Sequence, residues 1–104
     1  MNLHDFLEEV YKLSEAKDSD GALDLIFDQF DEILWDGRMS EIDALLDAVD
    51  VEKLGASVML GFYSASYVAR DFLSSRETFR TKIEQRLPKI LSEKEANEIL
   101  CMLR

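Results

Sequence analysis

An all-α fold is predicted for this chain, and three observations predict it. One Pro and four Gly in 104 residues leave few of the turns that a set of short strands would need. Apolar side chains recur every three or four residues in six successive segments. Capping residues, chiefly Ser, Asp and Gly, stand between those segments. The length argues for a single domain spanning residues 1–104. The expected architecture is about six helices in antiparallel hairpins, as a compact helical bundle or a short α-solenoid.

The first helix covers roughly residues 3–16, with Leu3, Phe6, Leu7, Val10 and Leu13 on one face and Asp5, Glu8, Glu9, Lys12 and Glu15 on the other. Asp18-Ser19-Asp20-Gly21 reads as a turn that caps the second helix, at about 21–36. That helix has a broad apolar arc of Ala22, Leu23, Ile26, Phe27, Phe30, Ile33 and Leu34, wide enough for more than one neighbour. Gly37 suits a left-handed cap at its end. Ser40 opens the third helix, with Asp43 at capping-box spacing and Ile42, Leu45, Leu46 and Val49 facing inward. Residues 51–55 form a connector.

The fourth helix, about Ala56 to Phe72, is apolar on two faces and is therefore expected to be central and buried. Val58, Phe62, Ala65, Ala69 and Phe72 form one stripe; Met59, Leu60, Tyr63 and Tyr67 form the other. Ser74 and Glu77 have capping-box spacing for a fifth helix at 75–87, which Pro88 should end or kink. Ser92 and Glu95 open a sixth, with Ala96, Ile99, Leu100 and Leu103 inward. Phe6, Val10, Leu13, Ala22 and Ile26 map onto Ile26, Phe30, Ile33, Ile42 and Leu46 at a constant offset of 20.

The segment Ile26 to Val49 resembles a tetratricopeptide-type helix pair. Ile26, Phe30 and Ile33 stand where its first helix packs, Gly37 at its turn, and Met39, Ile42, Leu46 and Val49 in its second helix. Phe30 replaces the small residue of the repeat, and no Pro closes the unit. The resemblance implies stacked helical hairpins and a scaffold for binding proteins or peptides.

Net charge is −10, which opposes direct binding to nucleic acid or an anionic membrane. The charge is lopsided. Residues 1–53 carry 16 acidic and 4 basic side chains, a net −12, whereas residues 54–104 carry 6 and 8, a net +2. The opening Met1-Asn2-Leu3-His4-Asp5 is unlike a signal peptide, and the uncharged stretch 54–69 is too short and polar for a membrane span. Lone Cys101 fits a reducing, cytoplasmic compartment, and it and His4 have no catalytic partner nearby in sequence.

Two groups of candidate contact residues stand out. Trp35, Arg38, Tyr63 and Tyr67 are the residue types that anchor protein interfaces. The sequence favours Trp35 folding over the turn, although an ideal helix places it among Asp24, Asp28 and Asp31. It favours Tyr63 and Tyr67 in the core, with a partner groove or homo-oligomer face as the alternative. The second group is an acidic face of Asp24, Asp28 and Asp31 with Glu32, continued by Asp43 and Asp47. The basic fifth helix (Arg76, Arg80, Lys82, Arg86, Lys89) is expected to be a solvated face attracted to the acidic half.

The functional expectation is a non-enzymatic protein-interaction module or adaptor, with a protein partner and no cofactor or metal. The first alternative is an acidic inhibitor that mimics nucleic acid, as phage-type antagonists and immunity proteins do. The second is a metal-dependent helical hydrolase, for which Asp24, Asp28 and Asp31 would have to converge on a divalent cation.

Overall fold

The computed structural model describes residues 2–67 and 74–103. Among the described residues it contains six α-helices and no strand. They are α1 (Leu3–Glu15), α2 (Ser19–Trp35), α3 (Met39–Ala48), α4 (Ala56–Ser66), α5 (Ser75–Ile90) and α6 (Glu93–Leu103), with a 3-10 turn over Val51–Lys53. The all-α fold is as predicted. The expected continuation of the fourth helix through Ala69 to Phe72 lies outside the described residues, as does the side chain of Leu103.

The offset of 20 in the sequence has a structural cause: the first two interhelical turns share one geometry. After α1, Lys17 takes a φ of +62°, its N–H donates to the Ser14 carbonyl, and the Asp18 N–H donates to the Leu13 carbonyl. After α2, Gly37 takes a φ of +69°, its N–H donates to Leu34, and the Arg38 N–H donates to Ile33. Both are Schellman closures, and in both the last residue of the turn is the N-cap of the next helix. Asp18 caps α2 by accepting from the Gly21 N–H at 3.1 Å, so α2 starts two residues earlier than expected. Thus the tetratricopeptide-like segment is the α2–α3 hairpin around Gly37.

Burial centres on α4. Val58, Met59, Gly61, Phe62, Tyr63, Ala65 and Ser66 are buried along it, as expected of a central helix. The Phe62 ring meets three others edge-on: Phe6 of α1 at 6.3 Å, Phe30 of α2 at 6.1 Å and Phe79 of α5 at 6.0 Å. Such edge-to-face pairs add about 0.5–1.5 kcal/mol each beyond the area they bury. At Gly61 a Cβ would overlap the Leu23 side chain, so the glycine lets α2 approach α4 closely. Phe30, out of place in a tetratricopeptide repeat, is what reaches Phe62 from α2. The connector is tied back to α1, where Tyr11 Oη accepts from the Asp50 N–H and Ser14 Oγ from the Gly55 N–H.

The helix ends depart from expectation at three places. Ser40 and Asp43 form no capping box; the N-cap of α3 is Arg38. Ser74 makes no capping box with Glu77 either. Instead Asp43 reaches across from α3 and caps α5, its carboxylate accepting from the Ser75 N–H at 2.6 Å and from Ser74 Oγ at 3.0 Å. Pro88 does not end α5, which runs on to Ile90. Pro88 falls in the last turn and forgoes the bond its N–H would make to the Glu84 carbonyl, a cost offset by the burial of Leu87 and the partial burial of Ile90. The Ser92–Glu95 cap of α6 is present as expected.

The α3–α5 contact is reciprocal. Lys82 of α5 donates to the Asp47 carbonyl at 3.0 Å, at the C-terminal end of α3, while Asp43 of α3 holds the N-terminus of α5. Arg86 reaches Glu52 in the 3-10 turn at 3.4 Å. Three cations of the basic helix, Arg80, Lys82 and Arg86, are thus spent within the fold, the latter two on the acidic half.

The Ser75 N–H above all, opposed by partial burial and aided by Ser74, holds the Asp43 carboxyl below its ordinary value of 3.8. Its contribution to stability is therefore complete above that ordinary value and is lost as pH falls through the lower folded value. Urea unfolding of Asp43→Ala should show a loss of about 1 kcal/mol at neutral pH. The gap from the native chain should close in acid. A gap independent of pH would contradict the capping role.

Candidate functional site

The outer side of α4 keeps one stripe at the surface. Ser57, Ser64 and Tyr67 are exposed and Leu60 is half-buried, whereas Met59 and Tyr63 point into the core. The second apolar stripe of the sequence is therefore split: Met59 and Tyr63 are core, as favoured, but Tyr67 is 51% exposed. Spacings of three, four and three residues put Ser57, Leu60, Ser64 and Tyr67 in one line along the helix.

Two hollows flank this line and share Ser64. One, of about 150 Å³, is lined by Phe27, Phe30, Asp31 and Leu34 of α2 with Ser64 and Ala65 of α4. The other, of about 460 Å³, is lined by Leu60, Tyr63, Ser64, Tyr67 and Met102. The Tyr63 and Tyr67 rings meet edge-on at 6.3 Å, and the Arg76 guanidinium lies 5.8 Å and 5.5 Å from them. This cation–π contact fixes the wall of the larger hollow from α5.

Beside the smaller hollow runs the outer ridge of α2. Trp35 does not fold over the turn: it is 84% exposed. Phe27, expected in the inward arc, is 46% exposed. The arc meets more than one neighbour, as expected, but the α1, α3 and α4 contacts of α2 take up Ala22, Ile26, Phe30 and Ile33 and still leave its edge outside. At about 100° per residue, Asp20, Asp24, Phe27, Asp28, Asp31 and Trp35 share an arc of roughly 100°. All six are exposed. Two aromatic rings thus stand in a row of four carboxylates.

The remaining candidates are placed elsewhere. Arg38 is ion-paired with Asp36 and Glu41 and lines a separate cleft of about 370 Å³ with Asn2, Leu3, Phe6, Gln29, Ile33 and Leu45. Asp43, expected on the acidic face, is partly buried as the cap of α5, because the α5 N-terminus offers it hydrogen-bond donors that water cannot match in position. Asp47 remains exposed on α3. His4 and Cys101 are exposed. Among the described residues, no three His, Cys, Asp or Glu side chains converge as a metal-ligand set, and no helix is long and apolar enough to cross a membrane.

Phe27 and Met102 are the site residues that sequence reasoning missed. Phe27 sits at the edge of the α2 arc on a helical wheel, the one sign that it could be left uncovered. Met102, 78% exposed, reaches the larger hollow from α6, a helix that packs on α5.

No known family model, characterised protein or solved structure matches the chain.

The lone Trp reports directly on the ridge. Trp35 emission should be that of a solvated indole and should be quenched more efficiently by caesium than by iodide, because the neighbouring Asp28 and Asp31 attract cations. The difference should shrink in high salt. Blue-shifted emission, or equal quenching by the two ions at low salt, would contradict the exposed acidic setting.

Proposed function

We propose that this chain is a non-enzymatic protein-interaction module that binds its partner over α2 and α4. The observation that carries this reading is the exposure of Phe27 and Tyr67 at two apolar-floored hollows, with Trp35 exposed on the same α2 ridge as Phe27. Large aromatic side chains are costly to leave in water and are enriched at interface hot spots. They cluster here rather than scatter. Phe27 and Tyr67 each line a hollow, and the hollows meet at Ser64. Tyr63, held under Arg76, gives the larger one a fixed wall, which lowers the ordering cost of binding.

The acidic-inhibitor reading ranks second. A nucleic-acid mimic would present carboxylates alone in place of phosphates, but aromatic rings interrupt the row on α2, and Asp43 is turned to α5. The hydrolase reading lacks a converging ligand set among the described residues. No cofactor is part of the proposal.

The test is capture of a partner from the native host on the immobilised chain, with free chain as competitor. Phe27→Ala combined with Trp35→Ala should abolish the competed capture while leaving unfolding within about 0.5 kcal/mol of native, since both side chains lie at the surface. Capture that survives this double substitution would overturn the assignment of the face.

A further inference from the structure

We infer that the α2 ridge and its adjoining hollows receive a cationic amphipathic helix of the partner protein, with apolar side chains in the hollows and Arg or Lys along the aspartates. This rests on the interaction reading above and names the chemistry of the partner.

The first argument is the unrelieved charge on α2. Asp20 and Asp24, Asp24 and Asp28, and Asp28 and Glu32 are i,i+4 neighbours of like sign, and Asp28 and Asp31 are i,i+3 neighbours. Such pairs destabilise a helix. Asp31 and Glu32 also lie near the C-terminal end of α2, where negative charge opposes the helix dipole and the last turn has no basic residue. Among the described residues, none of Asp20, Asp24, Asp28, Asp31 and Glu32 has an ion-pair partner. Four carboxylates on other elements are compensated within the fold: Glu41 by Arg38, Glu52 by Arg86, Glu77 and Glu84 by Arg80. The α1 carboxylates Asp5, Glu8, Glu9 and Glu15 are likewise without an ion pair among the described residues, but those of α2 alone flank the exposed rings Phe27 and Trp35.

The second argument is the match of this surface to one kind of occupant. A guanidinium or ammonium group over Trp35 or Phe27 gains from the ring face and from the adjacent carboxylates together. The apolar hollows require side chains without charge a few residues away. A basic amphipathic helix offers both, with apolar positions three, four and seven residues apart. A second copy of this chain fits poorly, since it brings the same −10, and the α5 cations Arg80, Lys82 and Arg86 are already paired or hydrogen-bonded internally. Nucleic acid and anionic membrane carry the wrong sign.

Calorimetric titration with a synthetic leucine–arginine amphipathic helix, and with its leucine–glutamate counterpart, tests the inference. Two charge-matched variants separate this site from general attraction to an acidic protein: Asp24→Asn/Asp28→Asn/Asp31→Asn on α2, and Glu8→Gln/Glu9→Gln/Glu15→Gln on the exposed side of α1. The arginine peptide should bind and the glutamate peptide should not. The α2 variant should lose about tenfold in affinity at 0.15 M salt and the α1 variant no more than about twofold. Phe27→Ala/Trp35→Ala should also weaken the arginine peptide. Equal losses from the two triple variants, or binding indifferent to Phe27 and Trp35, would overturn the inference. The native partner separates the two levels of the account. Capture lost with Phe27→Ala/Trp35→Ala but unchanged by the α2 triple variant rejects a cationic partner and leaves the interaction reading standing. Capture unchanged by both rejects both.

Discussion

The Phe62 ring meets Phe6, Phe30 and Phe79 edge-on, and through them α4 is joined to α1, α2 and α5. Each of the four rings is essentially inaccessible to solvent. A chain of this size has little surplus stability, so a hub that serves four helices at once governs where the others can lie. Because α2 must present Phe30 to Phe62, and Gly61 lets Leu23 come close, the rotation of α2 about its axis is set. The same rotation turns Phe27, Trp35 and the aspartates outward. The exposed ridge is thus a consequence of how the core is built, on a helix whose apolar arc is wider than its three neighbours cover.

Charge organises what the hydrophobic core leaves open. Between α3 and α5, each helix satisfies an end of the other: Asp43 caps the N-terminus of α5, and Lys82 meets the last carbonyls of α3. This explains why the basic helix belongs to an acidic protein. Lys82 and Arg86 compensate carbonyls and a carboxylate of the first half, and Arg80 pairs within α5. The carboxylates of α2 receive no such treatment. Uncompensated negative charge on α2 thus stands beside the exposed rings of Phe27 and Trp35.

Much of the fold was legible in the sequence, because its signals are local. The 3.6-residue periodicity located six helices, Asp18 and Gly37 marked two of the turns, and the Ser92–Glu95 box marked a third boundary. The constant offset of 20 proved to be a repeated Schellman turn, with Lys17 adopting the left-handed conformation that Gly37 adopts more readily. What could not be read was non-local. Ser40–Asp43 and Ser74–Glu77 have the spacing of two separate caps, yet the structure makes one cap from Asp43 and the start of α5, 31 and 32 positions away. Pro88 looked like a stop signal, but its cost in a last turn is outweighed by the burial of Leu87. At the candidate site, periodicity placed Trp35 among the aspartates, and the prior against exposed Trp pulled it back toward the turn. The structure follows the periodicity. Phe27 and Tyr67 were assigned to the core because a helix pattern shows which residues are apolar, not how many neighbours arrive to cover them.

On α2, uncompensated charge stands beside exposed rings, a strain on the free protein that a cationic partner would relieve. The most direct test of this strain is the stability of Asp28→Asn, which removes one member of the repelling sets with Asp24, Asp31 and Glu32. Urea unfolding at low ionic strength should show the variant more stable than the native chain by about 0.2–0.5 kcal/mol for each of these three like-charge neighbours, roughly 0.6–1.5 kcal/mol in all, with the gain shrinking as salt is added. A variant less stable than the native chain at low salt would mean that Asp28 is already compensated within the fold, and would contradict the account.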